Sequence, residues 1–146
     1  MDITHLHLTL AHVPVIGVFF GFALMVFGYF SKNRLLKKAA LVTFIIVALI
    51  GIPSFLSGDG TKEAIKNLPG ISEKTIDAHE EWGEKAIWFI GALGVVSVAA
   101  LYLAIKNNRK FKMICLITLI ISVLTIGMMV MVGYTGGQIR HIELVR

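Results

Sequence analysis

Four apolar runs, Leu8–Phe30, Ala39–Leu56, Ala86–Ile105 and Met113–Tyr134, take up most of the chain. Their apolar positions are continuous rather than alternating, and each run is about long enough to cross a hydrocarbon core roughly 30 Å thick as a helix. Backbone polar groups in lipid must be satisfied within their own segment, and four spans are too few to close a barrel. The pattern therefore predicts an all-α membrane protein. Residues 1–146 form a single domain, a four-helix up-down bundle whose even number of crossings returns both termini and the long loop 57–85 to one side.

The polar stretches refine this picture. Gly58-Asp59-Gly60 reads as a turn, Thr61 as the cap of a short helix Lys62–Leu68, and Pro69-Gly70 as a break. Ser72 suits a helix N-cap. The spacing Ile76, His79, Gly83, Ala86/Ile87, Ile90 then runs without interruption into the third span. One helix, Glu73–Lys106, is predicted, roughly 50 Å long and standing about three turns proud of the lipid, with His79 turned toward the bundle axis. Trp82 and Trp88 bracket the interface as belt aromatics do. Pro14 falls in the first turns of helix 1, and Pro53 should kink the far end of helix 2. Small residues (Gly17, Gly21, Gly91, Ala92, Gly94, Gly127, Gly133, Gly136, Gly137) would let helices, or a flat cofactor, approach closely.

With 146 residues, 56% of them hydrophobic, so small a chain could not hide four such runs in a soluble core. A net charge of +5 would point to nucleic acid in a soluble protein, but the distribution of charge removes that class. The two short turns hold Lys32, Arg34, Lys37, Lys38 and Lys106, Arg109, Lys110, Lys112 without one acid, while all nine acidic residues fall on the opposite face. Short loops rich in Lys and Arg stay in the cytoplasm. The expectation is a bacterial inner-membrane protein with both termini and the long loop on the periplasmic side. The N-terminus lacks a basic n-region, so the first helix is expected to be retained. The single Cys115 rules out a disulfide framework or a thiolate metal cluster and reads as a small core residue.

The candidate chemistry lies in the histidines. His5, His7 and His12 open the first span, His79 precedes the third and His141 follows the fourth, all on the acidic side. Imidazole at a bilayer edge calls for a partner, and it is the commonest protein metal ligand. A b-type haem needs two axial nitrogens on facing helices and apolar walls. The expected haem lies near the outer face on two of His12, His79, His7 and His141, with His12 and His79 favoured because helices 1 and 3 are diagonal and parallel. Phe19, Phe20, Leu8, Ile76, Ile90 and the strip Gly133/Gly136/Gly137 would wall it. Arg140 and Gln138 would donate to a propionate or carboxylate, or serve as plain headgroup contacts.

Two other chemistries fit the same residues. A copper or zinc site would use His5-x-His7 with His141 or Glu143. A quinone or proton site would pair His12 or His79 with Glu80, Glu81 or Asp59. A cofactor-free accessory subunit is the reading from a different class. No nucleophile–base set is present, so the chain reads as an electron carrier or subunit rather than a self-contained enzyme. Its partners would be a periplasmic redox protein or a respiratory complex, and its lipid-facing surface leaves room for a second copy.

The opening His7-Leu-Thr-Leu-Ala-His12-Val-Pro14 resembles the His-x4-His-x-Pro that begins a family of four-span bacterial membrane proteins catalogued as a domain of unknown function. Also similar are the Ser-Gly-Asp-Gly turn after span 2, Leu68-Pro69-Gly70 and Ala78-His79-Glu80-Glu81 before span 3, and Gly136-Gly137-x-Ile139 after span 4. The resemblance covers nearly the whole chain. It implies an integral membrane protein, in some members suspected of carrying haem or serving redox chains, and it points to His7, His12 and His79. The chain departs from the family at its tail, where Gly-Gly-Gln-Ile-Arg-His places His141 earlier than the family pattern does.

Overall fold

The computed structural model describes residues 3–69 and 71–140. The described residues are 89% helical, with no strand among them. The elements are α1 (Ile3–Phe30), α2 (Arg34–Leu56), the short α3 (Gly58–Ile65), α4 (Glu73–Ile105) and α5 (Phe111–Arg140). The four longer helices are long and apolar enough to cross a membrane. They pack as a closed ring in which α1 lies on α2, α2 on α4, α4 on α5 and α5 on α1, so that α1 and α4 face each other across the diagonal.

At the turn end, both connections are tight because polar side chains take over the free backbone groups of the helix starts. The Asn33 side chain accepts from Leu35 N at 2.9 Å and Leu36 N at 3.2 Å, capping α2. Lys32 and Asn107 adopt positive φ of 56° and 50°, which reverses the chain in few residues. Arg34 then ties the two turns together, donating to Ala104 O at 2.9 Å and to the Asn107 side chain.

The helices nearly touch where side chains are absent. A Cβ built on Gly21 would stand 2.5 Å from Phe44 Cε1, and one on Gly94 would stand 2.5 Å from Ala48 Cβ. Phe44, Leu41, Met25, Val18, Leu93 and Val47 fill the centre. Only part of the small-residue set serves this purpose, since Gly91, Gly127, Gly133 and Gly137 have nothing within 4 Å. Along α5 the buried hydroxyls of Thr118, Ser122 and Thr125 donate back to Ile114, Leu119 and Ile121 carbonyls at 2.7–2.8 Å, which satisfies them without water. Ser97 Oγ, fully buried on α4, is without a partner among the described residues.

The loop end differs from the expectation in three details. The short helix starts at Gly58, not Lys62, because Ser57 closes α2 and opens α3 in one residue, and Thr61 Oγ1 donates to Ser57 O at 3.0 Å from inside the helix. Ser72 stands at the N-cap of α4 without a side-chain hydrogen bond. Pro14 lies deep within α1, because the helix already begins at Ile3. Helix α3 packs on α1 and α2, and Lys62 pairs with Asp77 (3.2 Å) and Glu80 on α4, so α3 lies across this end of the bundle.

Gly94→Ala forces a methyl group against Ala48 and should destabilise the protein by about 1–3 kcal/mol, the usual range for overpacking. Gly91→Ala, which meets open space, should leave thermal unfolding in detergent unchanged or raise its midpoint. Equal midpoints for the two variants would contradict the close α2–α4 approach.

Candidate functional site: a histidine pair across the bundle diagonal

Two histidines meet at the loop end. The His7 ring on α1 and the His79 ring on α4 have centroids 6.5 Å apart and planes at 88°. His7 Nδ1 lies 3.0 Å from Ser54 O and 3.0 Å from Ser57 Oγ on α2. A carbonyl only accepts, so His7 Nδ1 carries the proton and donates. The Ser57 hydroxyl also donates to Ser54 O, at 2.8 Å.

His79 is fixed by the same logic. Its Nδ1 lies 3.1 Å from Thr135 Oγ1 on α5. The single Thr135 proton is directed at Met131 O, 2.9 Å away, with Val132 O at 3.2 Å, so the imidazole must donate here too. Gly136 gives the ring its room: a Cβ there would come within 3.1 Å of His79 Cε1 and 3.4 Å of Nδ1. In both residues Nδ1–H is committed to a protein oxygen, and Nε2 is the nitrogen with the lone pair. His79 stands before the apolar stretch that begins at Ala86. Burial, and then the neighbouring His7, hold its pKa below the ordinary histidine value against a smaller opposing pull from the Val132 carbonyl.

The other candidates are placed elsewhere. His12, expected beside His79, is exposed on α1 and its Nδ1 bonds back to Leu8 O. Five residues of helix turn the chain by about 140° from His7, so the two rings cannot share a face. Leu8, Phe19 and Phe20 lie on the outer surface and do not wall the pair, whereas Ile76 and Ile90 are buried as expected. A Cβ built on Gly137 or Gly133 would meet no other element within 4 Å. Glu80 and Glu81 bind Lys62 and Lys85 rather than a histidine. Gln138 is half-buried on α5. The Arg140 side chain, His141 and Glu143 lie outside the described residues. His5 is exposed, and among the described residues no group of three or more His, Cys, Asp or Glu is placed to hold a metal ion.

Ser54, Ser57 and Thr135 are the residues that sequence pattern alone does not single out. Their available signal was a hydroxyl in the last turn of an otherwise apolar span, at the height of a histidine on a neighbouring helix. Comparison of the chain with family models, with curated proteins and with solved structures finds no match.

In cofactor-free protein, nitrogen-15 NMR should find both His7 and His79 as the Nδ1–H tautomer. Thr135→Val removes the acceptor and leaves a donor unsatisfied, which costs about 1–3 kcal/mol. That variant should lower the unfolding midpoint and mix the His79 tautomers while leaving His7 as it was. A pure Nε2–H signal for either ring in the wild type would overturn the assignment.

Proposed function

We propose that the chain is a membrane b-type cytochrome-like protein in which His7 and His79 are the two axial ligands of one haem at the loop end, serving single-electron transfer. The single observation that carries this reading is the separation of the two rings. Two metal–nitrogen bonds of about 2.0 Å and the half-width of each imidazole together span about 6 Å, close to the 6.5 Å between centroids.

The donor set fits the group. Ligating histidines almost always donate their other ring N–H to a protein oxygen, which orients the ring and raises its basicity. His7 does so to Ser54 O and His79 to Thr135 Oγ1. Two imidazoles with no third ligand among the described residues suit an ion whose remaining positions are filled by its own macrocycle. A mononuclear zinc or copper site, which needs three or four protein ligands, is less well served. When bound, the haem would supply reversible one-electron chemistry at an iron held by the His7 and His79 imidazoles. The protein's own contribution is orientation of the two rings by Ser54 and Thr135. The excess of basic residues at the turn end supports an inner-membrane orientation with the pair on the periplasmic side, where a soluble redox protein or a larger respiratory assembly would exchange the electron.

The test is the absorption spectrum of protein purified in detergent from cells supplied with haem precursor. A Soret band and a sharp α-band on reduction are expected, with about one haem per chain. His7→Ala and His79→Ala should each lose the reduced α-band, and His12→Ala should keep it. A colourless wild type that also fails to take up added haemin would end the haem reading. Copper or zinc found instead by metal analysis would replace it with a metal site.

A further inference from the structure

At the opposite end of the bundle lies a lysine whose stem is buried and which no carboxylate among the described residues meets. Lys37, on the second turn of α2, is 7% exposed. Its Nζ lies 5.4 Å from the centroid of the Tyr29 ring and 6.0 Å from that of Phe111. The Arg34 guanidinium, one turn earlier, lies over the same Phe111 ring at 5.3 Å. Among the described residues no carboxylate pairs with either, and the two turns at this end contain no acidic residue at all.

The usual excess of Lys and Arg beside a span explains exposed bases, which sit in water among headgroups. It does not explain a buried one. A charge taken out of water is costly unless it is paired, and two cations drawn onto one aromatic ring recover only part of that cost. A lysine whose stem is packed while its ammonium lies at the membrane edge is completed by an anion arriving from outside the protein. The place is also favourable for one: it lies where the turn ends of α1, α2 and α5 meet around Tyr29 and Phe111. Lys38 follows it and is half-buried, and Lys110 and Lys112, which flank Phe111, are exposed.

We propose that Lys37 and Arg34, around Phe111 and Tyr29, bind the phosphate of an anionic phospholipid from the leaflet at the turn end. Lys37 supplies three N–H donors, none used in a hydrogen bond among the described residues. Arg34 spends donors on Ala104 O and Asn107 and keeps others of its five for the phosphate. Because Arg34 also holds the two turns together, the bound headgroup would brace α2 against α4 and α5. The inference is independent of the histidine pair.

The test is lipid binding to the full chain in detergent, measured with phosphatidylglycerol, phosphatidylcholine and inorganic phosphate. It is run at about 1 M salt, where the screening length of about 3 Å removes the diffuse attraction of exposed lysines. Wild type should keep at least a tenfold preference for phosphatidylglycerol over phosphatidylcholine. Lys37→Met should lose that preference, and Lys110→Met should retain it. Native mass spectrometry of the wild type, which needs no variant to fold, should find one retained anionic phospholipid per chain. The proposal fails if the preference vanishes with salt in the wild type, or survives in Lys37→Met, or if no lipid is retained. Binding of inorganic phosphate with no discrimination between the lipids would overturn the lipid as the source.

Discussion

The arrangement of the whole molecule depends on how closely α2 is gripped by its two neighbours. Gly21 lets α1 close on Phe44, and Gly94 lets α4 close on Ala48. In lipid there is no hydrophobic gain from bringing two apolar helices together, so dispersion at close contact does much of the work. With α2 held between them, α1 and α4 are set a fixed distance apart across the diagonal, and that distance decides whether His7 and His79 meet. A side chain at either glycine would spread the bundle at its middle and the histidine end with it.

Several polar groups along the length of the molecule find a partner close at hand. The α5 hydroxyls return to their own helix, and both Nδ1–H groups find oxygens on the adjacent helix. Lys62 binds two carboxylates across the loop end. What the described residues leave over is small and localised. Of the buried side-chain polar atoms among the described residues, only the Ser97 hydroxyl lacks a partner, while the histidine pair at one end and Lys37 at the other meet no carboxylate. The histidine pair and Lys37 are where ligands are proposed, since a polar group without a protein partner is the feature an outside partner can satisfy.

Most of the fold was legible in the chain because long apolar runs have one physical outcome in lipid. Helix α4 follows the predicted Glu73–Lys106 almost to the residue, and Ser72 stands where a cap was expected. The errors come from local geometry that composition does not carry. Thr61 looked like a cap and is an interior residue, since α2 passes into α3 through Ser57 alone. His12 looked the stronger ligand because it sits deeper among apolar neighbours, yet depth says nothing about azimuth. His7 is the one on the inward face. Phe19 and Phe20, read as cofactor walls, belong to the outer surface for the same reason. The hydroxyl partners of the histidines were hidden because a Ser or Thr near a helix end has many ordinary uses.

The way the two imidazoles are held has a consequence for assembly. His7 takes its orientation from α2, its own sequence neighbour, and His79 takes its orientation from α5, which follows α4 in the chain. Each ring is thus set within one helical hairpin, and neither hairpin needs the other to fix its tautomer. The N-terminal half could insert with its nitrogen already aimed, wait for synthesis of the C-terminal half, and acquire the second nitrogen only when the two hairpins dock. The pair is therefore a reporter of complete assembly: whatever occupies it would be captured last and would staple together two halves that are each prepared in advance.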